Sequence, residues 1–211
     1  MLQLITPKSY SDFADVLVDM HRLRYRVFKQ RLEWAVEVTD DQEVDRFDTI
    51  NPTYLVQRNR DDHVCGCVRF LPTVGPNMLR DIFPQLLQGV EMPECEFVWE
   101  CSRFALDLDE PSPSGPGGIS IATYELFAGM VEFALSQGMK EIVTVTDVRL
   151  ERLSRRASWG LRRIAPPMKI GETMAVAGYL DVSRPALARL KECGGFSGPV
   201  LWAPVVPPKA A

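Results

Sequence analysis

The order in which apolar periodicities follow one another restricts this chain's fold more than any other feature. Two short runs, Tyr54–Arg58 and Val64–Leu71, flank Asn59-Arg60-Asp61-Asp62-His63 and read as a hairpin. Ahead of them stand a strand at Leu2–Ile5 and an amphipathic helix from Ser11 to Lys29, capped by Ser9 or Ser11, in which Phe13, Val16, Leu17, Met20, Leu23, Val27 and Phe28 recur at helical spacing. After the hairpin come a short helix at Met78–Leu87 broken near Pro84, a strand at Glu96–Leu106, and a breaker-rich loop from Pro111 to Gly118. A long apolar helix at Ile119–Gln137 is stopped by Gly138, and a strand at Glu141–Thr146, a basic helix at Leu150–Trp159, a strand at Thr173–Val182 and a helix at Pro185–Glu192 complete the series. Strands adjacent in sequence, followed by strands alternating with helices, imply an α/β fold: a mixed sheet flanked by helices, with some parallel pairs where a helix crosses over.

With 211 residues and 46% hydrophobic content, the chain is expected to form one domain spanning 1–211. A formal net charge of -4 excludes a general nucleic-acid binder, and no apolar run reaches membrane-spanning length or resembles a signal peptide, so the expected location is cytoplasmic. Five cysteines without CxxC spacing read as reduced thiols. His63-Val64-Cys65-Gly66-Cys67 offers zinc-ligand types, but its residues alternate along a strand and only two histidines exist, so no metal site is expected.

Between Gln30 and Pro52 the periodicity fails, and Glu37, Asp40, Asp41, Glu43, Asp45 and Asp48 stand against Arg46. A loop this long in a compact domain is functional or disordered. Around it lies the informative constellation: Arg24-x3-Phe28-x5-Trp34-x10-Asp45-x2-Asp48, then Arg69, then Glu100-x2-Arg103. Glu100 sits in an otherwise apolar strand, where an unpaired carboxylate is costly. Alternation sends Glu100 and Ser102 to one face and Arg103 to the other, unless a bulge intervenes.

In type and spacing these eight positions resemble the acyl-homoserine lactone synthases of bacterial quorum sensing, and Arg24-Tyr25-Arg26-Val27-Phe28, Asp45-Arg46-Phe47-Asp48 and Trp99-Glu100-Cys101-Ser102-Arg103-Phe104 are very similar to that family's wording. The resemblance implies a fold like the GNAT-type acetyltransferases, with a V-shaped cleft for the acyl carrier's pantetheine. It implies an acyltransferase that joins an acyl group to the amine of S-adenosylmethionine, closes the lactone and releases methylthioadenosine. S-adenosylmethionine is then a substrate, and no cofactor is expected.

That substrate carries an amine, a carboxylate and a sulfonium, which call for both acidic and basic partners. Expected catalytic residues are Glu100 as general base, Arg103 and Asp45; expected substrate contacts are Arg24, Phe28, Trp34, Asp48, Arg69, Ser102 and Phe104. Phe28 and Trp34 offer aromatic faces to the adenine or sulfonium, although Phe28 also continues the apolar helix stripe. The charged residues serve equally well as a structural ion-pair network pinning the acidic loop. Phe127, Met130, Val143, Thr144 and Val145 are acyl-pocket candidates or simply core.

Two features bear on the acyl donor. Arg149, Arg152, Arg155, Arg156, Arg162, Arg163 and Lys169 face only Glu151 within their segment, which suits docking of an acidic acyl-carrier protein, with Arg149, Arg152 and Arg156 as the expected contacts. Gly115-Pro116-Gly117-Gly118 ahead of a helix instead suits the pyrophosphate of an acyl-coenzyme A, but Ser112 stands where the usual motif opens with Gln or Arg. The rival functions are a GNAT-type N-acetyltransferase acting on another amine, and an inactive module that senses S-adenosylmethionine or the carrier.

Overall fold

The computed structural model describes residues 2–109 and 112–202; Pro111, at the start of the breaker-rich loop, lies outside them. In chain order the elements are β1 (Leu2–Ile5), α1 (Ala14–Arg24), β2 (Val38–Thr39), β3 (Gln42–Glu43), β4 (Thr53–Arg58), β5 (Val64–Pro72), α2 (Met78–Asp81), β6 (Val98–Leu106), α3 (Ile121–Ser136), β7 (Glu141–Asp147), α4 (Val148–Arg156), β8 (Arg162–Arg163), β9 (Met168–Ile170), β10 (Thr173–Asp181), α5 (Arg184–Gly194) and β11 (Leu201–Trp202). Nine strands form one sheet in the order β11-β1-β4-β5-β6-β7-β10-β8, with β9 also paired to β10; β2 and β3 form a separate hairpin.

The helical chain ahead of α1 begins earlier than expected. Thr6 and Ser9 satisfy each other's backbone groups in a capping box, so a 3₁₀ turn over Pro7–Phe13 leads into α1. Past Arg24 the chain widens into π-helical turns over Tyr25–Arg31 rather than ending at Lys29. Ser120 caps α3, Asp147 caps α4 and Ser183 caps α5, each accepting backbone N–H bonds in the first turn. The short strands β8, β9 and β11 and the β2–β3 hairpin carry too few residues to show a period.

The two faces of the sheet are covered differently. Against one lie α3, α4 and α5, over a core that includes Leu55, Val68, Phe70, Tyr124, Phe127, Phe133 and Trp159. Against the other lie α1 and the α2 segment, over Met20, Leu23, Val56, Leu79 and Leu86. At the centre, β6 and β7 run parallel and pair from Val98↔Glu141 to Cys101↔Thr144. Beyond that point β6 stays with β5 as far as Leu106, and β7 stays with β10 as far as Asp147. The strands therefore part as a V, giving the mixed sheet with a cleft that the resemblance implied. No helix among the described residues is long and apolar enough to cross a membrane.

Candidate active site

The acidic segment, the end of α1 and the strands β5 and β6 bring six charged side chains together on the α1 side of the sheet. Arg24, the last residue of α1, is wholly buried; its Nε reaches Glu43 Oε2 at 2.5 Å and its two terminal nitrogens grip Asp48 at 2.8 and 2.9 Å. Arg69, on β5, grips Asp45 at 2.6 and 3.0 Å, touches Asp48 at 2.8 Å and donates to Ser102 Oγ at 3.2 Å. Arg103 closes the ring through Glu43 at 2.9 Å and Asp45 at 2.6 Å. Three guanidiniums thus meet three carboxylates, and the forked geometry suits Arg rather than Lys.

Arg103 joins this cluster because β6 bulges. The register runs from Arg69↔Ser102 to Cys67↔Ala105, so Arg103 and Phe104 together oppose the single residue Val68. Arg103 takes a left-handed φ of 56°, a conformation costly for a side chain this large. The bulge puts Arg103 on the same face as Glu100 and Ser102.

Burial alone would lift the carboxyl pKa values, but the facing guanidiniums overcome it. Asp45 is held below its ordinary value by Arg69 and Arg103, and Asp48 well below it by Arg24 and Arg69. Asp48 also accepts from the Tyr54 hydroxyl at 2.7 Å and from the Asp45 backbone N–H at 2.8 Å. The loop is therefore pinned by the charges, as the ion-pair reading expected. Only Arg103 and Asp45 keep about a tenth of their side-chain surface exposed, 11% and 10%, so they form the cluster's outward edge.

Glu100 lies beside the cluster but outside its ion pairs. It is fully buried and accepts the backbone N–H groups of Met78 at 2.9 Å and Leu79 at 2.6 Å, at the start of α2. These amides, and not an arginine, are its hydrogen-bond partners. Burial pushes its pKa up to about 7, against the pull of the two amides. Met78 links the two groups, because Arg103 donates to its sulfur at 3.2 Å while its N–H holds Glu100.

Phe28 is buried and stacks on Trp34, with centroids 5.3 Å apart and planes 5° apart, and the Arg103 guanidinium lies 5.6 Å from the Phe28 ring centre. Phe28 is thus a spacer between Arg103 and Trp34, leaving half-buried Trp34 as the aromatic surface of this pair.

Phe104 leaves the charged face altogether. It packs on Phe127 at 5.3 Å and lines a cavity of about 30 Å³ with Cys101, Met130, Thr144, Thr146, Leu150 and Trp159. This cavity sits in the fork of the V, where Thr144 donates to the Cys101 carbonyl at 2.9 Å. Phe127, Met130 and Thr144 therefore meet as expected. Val143 and Val145 do not: alternation along β7 turns them to the other face, against the cluster that holds Leu79, Leu86 and Ala177. As it stands the cavity has room for about one water molecule.

The basic segment is more nearly neutralised than its sequence suggested. Glu151 is buried and held by Arg163 at 2.5 and 2.8 Å, Arg162 pairs with Glu141, and Lys169 pairs with Glu172 at 3.2 Å. Arg149, Arg152, Arg155 and Arg156 stand exposed along α4. At the other donor candidate several amides bond within the chain. Gly115 N–H donates to the Ile119 carbonyl, Ile121 to the Pro113 carbonyl, Ala122 to Ser112 Oγ and Thr123 to Ser120 Oγ.

The sequence reasoning passed over Glu43, which bridges Arg24 and Arg103, along with Tyr54 and Met78. Glu43 was one of several acids in an aperiodic stretch; its two-residue step from Asp45 was the available signal.

A family model described as autoinducer synthase matches residues 9–190. The chain is similar to the acyl-homoserine-lactone synthase of Agrobacterium fabrum, with 39% identity over 195 residues, 92% of each chain. Among solved structures it is similar to the AHL synthase LasI, with 34% identity and a TM-score of 0.78 over 92% of this chain and 95% of that one. The CoA-dependent acyl-homoserine lactone synthase BjaI, at 24% identity and a TM-score of 0.85 over 96% of this chain and 92% of that one, shares the fold.

Proposed function

The chain belongs to the autoinducer synthase family, and we propose that it makes an N-acyl-homoserine lactone from S-adenosylmethionine and an acyl thioester, with residues 1–211 acting as one synthase domain. The observation that carries this reading is the position of two unlike receptors on opposite faces of β6, a charged cluster and an apolar cavity, next to the point where β6 and β7 separate. An amine substrate and an acyl chain approaching from opposite faces would meet at that fork.

In this reading the Arg103–Asp45 edge receives the amino-acid end of S-adenosylmethionine, Arg103 taking the carboxylate and Asp45 the ammonium, while Trp34 supplies an aromatic face. Arg24, Asp48 and Arg69 hold that edge in place, with Phe28 behind Arg103 and Ser102 against Arg69. Glu100 receives the proton the amine must lose, through a water molecule; an α-amino group titrates near roughly 8, close enough to a carboxyl poised at about 7 for transfer. The free amine attacks the thioester carbonyl and the thiol leaves. The substrate carboxylate then attacks the γ-carbon, the carbon–sulfur bond breaks, and methylthioadenosine departs with the electron pair that neutralises its sulfonium. That leaving group is already activated, so orientation suffices for the second step. Phe104, Phe127, Met130 and Thr144 line the acyl side.

An acyl-carrier protein is the donor this reading favours over acyl-coenzyme A. Arg149, Arg152 and Arg156 are exposed with Glu151 withdrawn into its pair with Arg163, and several amides suited to a pyrophosphate are engaged within the chain. The test is to supply S-adenosylmethionine with carrier-bound and coenzyme A-bound acyl groups of varied length, measuring methylthioadenosine and identifying the product by mass spectrometry. Lactone with stoichiometric methylthioadenosine supports the proposal; acyl transfer to a different amine without methylthioadenosine overturns it in favour of an ordinary N-acetyltransferase.

A further inference from the structure

The hairpin that carries Glu43 takes no strand pairing from the main sheet and is held through side chains. Its strands β2 and β3 pair only with each other, through Val38↔Glu43 and Thr39↔Gln42. Its turn puts Asp40 and Asp41 at φ values of 45° and 63°, where glycine would be easier. A lone two-stranded hairpin is marginal in water. Yet this one delivers the carboxylate that spans Arg24 and Arg103.

Its polar anchors on α1 are three. Arg24 holds the Glu43 carboxylate; Arg22 meets Asp41 at 3.5 Å, in an exposed contact worth little. The third is His21, whose Nδ1 lies 3.0 Å from the Glu43 backbone carbonyl. A carbonyl only accepts, so Nδ1 carries the proton. The groups around the imidazole are Arg24 on its own helix, Glu43 on β3, Asp48 in the following turn and Tyr54 on β4, which the ring meets edge-on at 6.3 Å. Burial and Arg24 lower the His21 pKa, which keeps the ring neutral near pH 7 and the Nδ1–H tautomer intact.

We propose that His21 is a positioning residue: its Nδ1–H bond to the Glu43 carbonyl fixes the backbone from which the Glu43 carboxylate orients Arg103 toward the amino-acid end of the substrate. The part concerning substrate rests on the function proposed above. The anchoring does not.

Two variants separate the bond from the ring. His21→Phe keeps an aromatic edge on Tyr54 and removes the donor; His21→Asn returns a side-chain N–H close to the position of Nδ1. Hydrogen exchange followed by mass spectrometry reads the hairpin, and steady-state kinetics reads the substrate. His21→Phe should speed exchange at residues 38–43 about ten-fold, the effect of losing one net hydrogen bond, and leave β4–β6 protected. It should raise the KM for S-adenosylmethionine by a similar factor while the KM for the acyl donor stays within about two-fold, and His21→Asn should recover most of both losses. Unchanged exchange in His21→Phe, equal impairment in the two variants, or loss of protection throughout the sheet would each overturn the proposal. Should the wild-type protein fail to use S-adenosylmethionine, the functional reading falls, and the exchange data alone decide the anchoring.

Discussion

On the α1 side of β6, three arginines and three carboxylates are buried with each charge engaged by at least one partner; on the α3 side, the same strand borders a cavity walled by uncharged side chains. The two regions fail differently. Removing one member of a buried ion-pair cluster strands its partners in a low dielectric, whereas changing one wall of an apolar cavity reshapes it at a cost that follows the volume altered and leaves no charge unpaired. A surface that must recognise an invariant charged amino acid tolerates that rigidity. A surface that must fit an acyl chain benefits from walls that can change one at a time.

The largest effect should come from breaking the charged side at its centre. Arg24→Met leaves Glu43 and Asp48 without their main partner, and should lower stability by roughly 3–5 kcal/mol in denaturant titration as well as abolish turnover. The same cluster sets an acid limit. The pKa of Asp48 in the fold lies below its unfolded value, so its contribution is full above about pH 4 and is lost as pH falls further. Stability measured from pH 8 downward should show this loss, and Asp48→Asn should remove that part of the pH dependence. A wild-type curve that stays flat down to pH 2.5 would mean that the charges contribute no net stability.

Next in size is Glu100→Gln. It should reduce turnover by about two orders of magnitude or more, the scale expected of a general base. Its amide must present a donor to one of the Met78 and Leu79 N–H groups, so a stability loss of roughly 1–3 kcal/mol should accompany it. In the wild type, kcat/KM should rise with pH through about 7 as Glu100 ionises, and the variant should lose that limb. Because the fold raises this pKa, any stability Glu100 adds is present below its unfolded value near roughly 4.3 and declines as pH climbs through about 7, opposite in sign to Asp48.

The apolar side supplies a matched pair. Thr144→Val removes the hydroxyl at the fork and should shift the preferred acyl chain while costing about 1 kcal/mol or less; Val143→Thr, one residue away on the opposite face, should leave acyl preference unchanged. Competition between acyl donors of different length and oxidation state reads both, and equal shifts would mean that the cavity is not the acyl site. The smallest effect belongs to the exposed arginines. Arg152→Glu with Arg156→Glu should raise the KM for a carrier-protein donor several-fold at low salt and hardly at all at high salt, because rim charges are screened over about 8 Å under physiological conditions.

The charged side was far more legible in the sequence than the apolar one, and the reason is physical. Glu100 stood out because a carboxylate in an apolar strand is costly to bury unpaired, while Arg24, Asp45, Asp48, Arg69 and Arg103 could be named before any geometry through the spacing they share with the acyl-homoserine lactone synthases. Phe127, Met130 and Thr144 had to be picked from many apolar or β-branched neighbours. Val143 and Val145 fell on the wrong face because the strand register was unknown. Glu43 was hidden by the acids around it, and His21 by lying off the apolar stripe of an amphipathic helix. The succession of the longer strands and helices along the chain was readable from apolar period, whereas their order in the sheet was not, and β8, β9 and β11 were too short.

The bulge at Ser102–Phe104 also acts on the parity of β6. Before it, even-numbered residues look toward the charged cluster; after it, odd-numbered ones do, and that change sends Phe104 to the cavity and Ala105 to the α1 side. Deleting Arg103 would restore plain alternation and leave Phe104 and Ala105 on their present faces while removing an arginine from the cluster, whereas straightening the bulge with every residue kept would exchange the two faces for all that follow, so a change of length at this point differs in kind from a substitution. A relative aligned with a gap between 102 and 104 would have to rebuild one of its two receptors from other residues, however similar the rest of its sequence.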